Sequence, residues 1–240
     1  MRPDAVRQTL DAELAAARRR RDGRAPRVLD VGGGSGVLAV PLAVAGCAVT
    51  VLEPNPNALA TLSRRVEDAS VADRVTAIPA DSESLADAVP AGSMDLVLAH
   101  GVLEIVDDPR STVAAMAGAV EIGGAVSVLV ANRAAAVVHR AVAGRLAEAR
   151  RLVDDPDGRL PEEGLLRRFD SDGVGSLLAG AGLVVESLQG QGVLSDLVPG
   201  GVLEEDSGAV EALAELELRV AGVVPLRDLA TRLHAVGRRV

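Results

Sequence analysis

The nine residues Val28 to Gly36, VLDVGGGSG, constrain this chain more than any other stretch, because an apolar run, an acid and three alternate glycines must serve one another. Arg27 to Val31 has the make-up of a buried strand, Gly32, Gly34 and Gly36 permit a tight turn at positive φ, and Val37 to Val44 reads as the following helix. Alternate glycines let backbone approach a ligand closely, and the open amides at a helix start offer it hydrogen-bond donors. Strand, turn and helix together predict a cofactor cradle. The dinucleotide-binding pattern needs a third glycine three residues after the second, and position 37 is Val37. Nicotinamide chemistry is therefore disfavoured.

The 240 residues, 48% of them apolar, suffice for one α/β domain with a substantial core and a modest insertion. Strand and helix signals alternate, which predicts a doubly wound sheet with helices on both faces. No apolar run reaches bilayer-spanning length and no signal-peptide core precedes the first helix, so the expected location is the cytoplasm. The single cysteine, Cys47, excludes an internal disulfide, and three well-separated histidines suggest no metal site. Lysine is absent and Phe169 is the only aromatic residue, so base stacking on aromatic rings is nearly ruled out and any nucleobase would lie between aliphatic groups.

Asp30, two residues before Gly32, completes Asp-x-Gly-x-Gly-x-Gly, and here the chain resembles the class I S-adenosylmethionine-dependent methyltransferases. The resemblance implies a mostly parallel, Rossmann-like sheet of seven strands with S-adenosylmethionine as cofactor. Asp30, Gly32, Gly34 and Gly36 match its cofactor turn. A second strand, Ala48 to Leu52, ends in Glu53, whose carboxylate can accept both ribose hydroxyls or can serve as a helix-terminal acid before Pro54. A third, Arg74 to Ile78, leads to Asp81 and Ser82, which either contact adenine as in that family or cap a helix. The fourth, Met94 to Ala99, runs into His100 to Pro109, HGVLEIVDDP, a string resembling the family's motif after this strand. His100 and Glu104 lie where open sheets bind ligands, and are the candidates for catalysis or cofactor contact; packing is the alternative for both. Transfer from a sulfonium needs an aligned nucleophile more than acid catalysis.

Residues 3 to 21 read as a helix ending in the arginines Arg18 to Arg21, which complement its dipole or form a nucleic-acid patch. Arg7, by resemblance, approaches the cofactor's carboxylate; otherwise it is a solvated helix charge. A helix over Ser111 to Val120 is expected to close at Gly123-Gly124, followed by a strand to Ala131. Residues 133 to 168, with one helix over Ala134 to Val153, read as a lid inserted after the fifth strand. Later elements are a helix to Ala181, a strand Leu183 to Leu188, a helix Val210 to Val220 and a strand Thr231 to Arg238, in which His234 is structural.

The order of motifs, the lid and the Leu233-His234 ending resemble one subgroup, the bacterial enzymes that methylate carboxymethoxyuridine in transfer RNA. That subgroup's acceptor turn carries an arginine and aromatic or histidine groups, whereas Gly190 to Leu197 here has none and retains only Asp196. The net charge of −9 hides an arginine excess in residues 1 to 27 and 133 to 168, a basic rim expected to steer an anionic acceptor. The reading is methyl transfer to an oxygen or nitrogen of an anionic small molecule or transfer RNA. The alternative is a module that binds the cofactor or its demethylated product without catalysis.

Overall fold

A computed structural model describes residues 4 to 163, 167 to 198 and 208 to 240; Pro3 and part of the expected lid loop lie outside them. Seven strands are β1 (Arg27–Val31), β2 (Ala48–Leu52), β3 (Val75–Ile78), β4 (Met94–His100), β5 (Val120–Ala131), β6 (Leu183–Gln191) and β7 (Arg232–Arg239), in the order β3-β2-β1-β4-β5-β7-β6. β1 pairs in parallel with β2 and β4, and β2 with β3. β1 and β4 read as near-continuous apolar runs because residues on both their faces are buried.

The helices are α1 (Ala5–Arg20), α2 (Ala39–Val44), α3 (Pro56–Asp68), α4 (Leu85–Ala88), α5 (Pro109–Ala119), α6 (Arg133–Val142), α7 (Leu146–Asp154), α8 (Ser171–Gly180) and α9 (Ala209–Val220). Starts are written in the sequence: Asn55 accepts from the amides of Asn57 and Ala58 ahead of α3, and Asp108 from that of Arg110 ahead of α5, each with proline next. The chain divides into two compact units. One comprises Ala12–Val128, Leu177–Glu186 and Val236–Val240; the other Met1–Asp11, Leu129–Ser176 and Ser187–Ala235.

Three expectations are corrected. The helix after the glycine turn begins at Ala39 rather than Val37, because the turn itself runs through Leu38. Gly123 and Gly124 do not close α5 but lie inside β5: a Cβ on Gly124 would stand 2.8 Å from the carbonyl oxygen of Asp95, so glycine permits the close approach of β5 to β4. The single helix over Ala134 to Val153 is two, α6 and α7, because Gly144 takes a left-handed φ of 75° that ends the first.

The expected basic segments are largely spent on internal pairs. Arg20 pairs with Glu121 at 3.6 Å and Arg21 with Asp95 at 3.5 Å. In the other unit Arg140 meets Glu148 and Glu163, Arg151 meets Glu162, Arg168 meets Glu163, and Arg133 meets Asp170. Composition alone cannot reveal this, since it counts charges without their partners.

Candidate functional site

The turn after β1 is fixed to its neighbours before any ligand is considered. Gly32 donates its amide to the carbonyl of Leu52 at 2.7 Å, and a Cβ on Gly32 would collide with Val102 at 2.5 Å. Gly33, which the alternating pattern passes over, is as constrained: its Cβ would lie 2.6 Å from Asp30 Oδ2 and 2.9 Å from Val51. Gly32, Gly34 and Gly36 all take positive φ, at 64°, 56° and 80°.

Glu53 follows β2 and is 8% exposed. Its Oε2 accepts the Gly34 amide at 3.0 Å and its Oε1 the Asn55 amide at 2.8 Å, so the carboxylate is aimed by backbone on both sides and retains unused lone pairs. Asn55, not Glu53, caps the helix that follows. Asp30 lies beneath the turn, 2% exposed, with Oδ2 lacking a hydrogen-bond partner. Burial, and next the charge of Glu53, push its carboxyl up to about 7.

A cavity of about 330 Å³ opens over these residues, at the ends of β1, β2 and β4 where the strand order reverses. Gly32, Glu53, Asp81 and Ser82 line it. Asp81 also caps the short turn of Ser82–Ser84, its Oδ1 accepting the Ser84 amide at 2.9 Å, and the Ser84 hydroxyl bond holds it below its ordinary pKa. Asp81 thus caps a turn and lines the cavity at once. Among the described residues the charged members of the lining are all acids, Glu53, Asp81, Glu83 and Asp107, and the apolar members include Leu52, Val102, Ile105 and Val106.

His100 and Glu104 do not line this cavity. His100 ends β4 with its Nε2 2.9 Å from the hydroxyl of Ser127 on β5, and Glu104 is 5% exposed in the turn that follows. Arg7 belongs to the other unit, where its Nε donates to Asp11 at 3.0 Å, one helical turn on. Ile105, Val106 and Asp107, within the His100 to Pro109 string, line the cavity where His100 and Glu104 do not. Ile105 stays 61% exposed on a short turn, an exposure that the sequence does not disclose.

Carboxylates at the strand ends, backbone amides, aliphatic walls and a volume within the usual range of small-molecule sites suit a nucleoside bearing positive charge. Residues 3–188 match a family described as a methyltransferase domain. The chain belongs to that family. It is 28% identical over 213 residues to the tRNA 5-carboxymethoxyuridine methyltransferase of Escherichia coli, covering 89% of this chain and 80% of that protein. It is 38% identical over 107 residues to the ubiquinone biosynthesis O-methyltransferase of Aromatoleum aromaticum, covering 45% and 44%. An S-adenosylmethionine-dependent methyltransferase from Mesorhizobium loti shares the fold at a TM-score of 0.62 and 16% identity, covering 97% and 96%. The protein is a methyltransferase of the class I, Rossmann-like fold, and its methyl donor is S-adenosylmethionine.

Of the groups lining the cavity, Glu53 and Asp81 would offer hydrogen-bond acceptors to a bound donor and Leu52, Val102, Ile105 and Val106 an aliphatic wall. When bound, the donor supplies a methyl on a sulfonium that is already a good leaving group. Among the described residues no group of three or more histidine, cysteine, aspartate and glutamate side chains is arranged to hold a metal, and no helix is long and apolar enough to cross a membrane.

Proposed function

We propose that this methyltransferase acts on an oxygen or nitrogen of a small-molecule acceptor. The observation that carries the choice is the pairing of the arginines of residues 133 to 168 with acids of their own unit. A polyanion such as transfer RNA binds by letting arginines replace its counterions, and arginines already neutralised contribute little to that. The turn after β6 supports the same reading. Where the transfer-RNA subgroup presents acceptor groups, the amides of Val193, Leu194 and Ser195 donate to Glu217 at 3.0, 2.7 and 2.6 Å, so the turn is tied down from within.

The chain's contribution to the chemistry is orientation and exclusion of water. His100, bonded to Ser127, and Glu104, buried in the next turn, shape the end of β4 and are assigned no proton transfer. A transfer-RNA acceptor is the second reading, favoured by the likeness to the Escherichia coli enzyme across most of the chain. Incubation with methyl-labelled donor separates the two. Label in the small-molecule fraction of a cell extract is the expected result, and label in purified unmodified transfer RNA overturns it.

A further inference from the structure

We propose that the ligand-free cradle holds one proton on the Asp30 and Glu53 pair and releases it when the cationic donor binds, so that Asp30 ties donor affinity to pH; this rests on the donor occupying the cavity beside Glu53.

The two carboxyls flank one stretch of backbone. Asp30 Oδ2 is 2.6 Å from the point a Cβ of Gly33 would occupy, and Glu53 Oε2 accepts the amide of Gly34, the next residue. The positions paired with Asp30 across the sheet are Val51 on β2 and Leu98 on β4, both apolar. Among the described residues the charged groups that border the site are acids: Glu53 from the end of β2, then Asp81, Glu83 and Asp107 farther along the wall.

A buried carboxylate with an unpartnered oxygen and a like charge beside it is costly, and the neutral acid is the cheaper form. Glu53 accepts two backbone N–H groups whereas the buried Oδ2 of Asp30 accepts none, so the proton resides on Asp30. The raised pKa of about 7 agrees with that division. S-adenosylmethionine carries a sulfonium and an ammonium against one carboxylate, and its net positive charge favours the doubly ionised pair. Protons bound by the empty cradle must then leave.

The test is calorimetric titration of S-adenosylmethionine into the full chain in phosphate and in Tris, whose ionisation enthalpies differ, so that the difference in heat counts protons. The expected release is about half a proton at pH 7, approaching one at pH 6 and none at pH 8.5, with affinity rising up to about tenfold per pH unit below 7. Asp30→Asn should remove the release while still binding; the donor's own amine is common to both proteins and cancels. Equal release in the variant, or none from the wild type at pH 6, overturns the proposal. Should the variant not fold, the carboxyl carbon shift of Asp30 in the wild type reads the same proton: an ordinary value near 4 overturns the proposal and one near 7 that falls on adding donor supports it. No binding heat from folded protein would overturn the donor assignment itself, and the proposal with it.

Discussion

Asp30, near the end of β1, and Asp95, near the start of β4, are both buried carboxyl groups on neighbouring strands, yet they face opposite surroundings at opposite ends of the strands. Asp95 accepts from the Arg27 backbone at 2.6 Å and from its guanidinium at 3.1 Å, with Arg21 at 3.5 Å and Glu121 completing the cluster through Arg27. Burial raises Asp95, but the hydrogen bonds and charge of Arg27 outweigh it and hold the group below its ordinary pKa. Asp30 has no such cation and moves the other way. One end of the parallel strands satisfies its charges internally and serves stability. The other leaves acids facing a cavity, an arrangement that costs stability and suits a cationic ligand.

The largest expected effect comes from removing the unsatisfied charge. The folded protein keeps a proton on Asp30 between about pH 4 and pH 7 that the unfolded chain has released, so stability falls across that window and is level above it. Asp30→Asn should therefore match the wild type near pH 4 and exceed it at pH 8, by up to about 4 kcal/mol, the equivalent of about three pH units. Urea unfolding followed by circular dichroism at the two pH values measures this. A variant equally destabilised at both would place Asp30 in the same class as Asp95.

Asp95→Ala should do the reverse. It strands Arg27 with only Glu121, and should cost about 3 kcal/mol at pH 7, the lower end for breaking a buried pair because that second acid remains. The contribution exists above the ordinary carboxylate pKa and disappears as pH falls through the depressed value of the folded state. Affinity for S-adenosylhomocysteine should stay within about twofold of wild type. A tenfold loss would mean that the two ends are not separate in function.

Glu53→Ala tests the open end directly. Loss of charge-assisted bonds to a ligand should cost roughly 1.5–3 kcal/mol, one to two decades of affinity for S-adenosylhomocysteine by calorimetry. Unchanged affinity would remove Glu53 from the site.

The two ends also differ in how far the sequence discloses them. The cradle was legible because its parts are local: Asp30, Gly32, Gly34 and Gly36 fall within seven residues, and Glu53 follows the next strand directly. The boundaries of β1 and β2 emerge as read because each is a short, mostly apolar run bounded by turn residues, β1 buried on both faces and β2 on one. The Arg27, Asp95 and Glu121 cluster was not legible, since its members are separated by up to 94 positions and meet only when β4 and β5 are in place. The same reason hid the bond between His100 and Ser127, 27 residues apart. Gly123 and Gly124 lie inside β5 although glycines beyond a helical run ordinarily signal its end: Gly123 takes a positive φ of 82°, and Gly124 permits the close approach to β4.

Two isoleucines provide the smallest and most discriminating comparison. Ile105 borders the cavity at the open end and is 61% exposed, while Ile122, near the start of β5 beside Glu121, is 74% exposed at the closed end. Composition and exposure make them equivalent. With no tyrosine or tryptophan in the chain, the cover over a bound base has to be aliphatic, and Ile105 is an exposed apolar side chain of the lining. Covering about half of that side chain on binding contributes about 1 kcal/mol, so Ile105→Ser should weaken S-adenosylhomocysteine roughly fivefold. Ile122→Ser should leave affinity unchanged, and neither should alter stability much, because neither side chain is buried in the empty protein. An equal loss from both would trace the effect to general loosening of the sheet, whereas a loss confined to Ile105 would assign the base to the aliphatic wall.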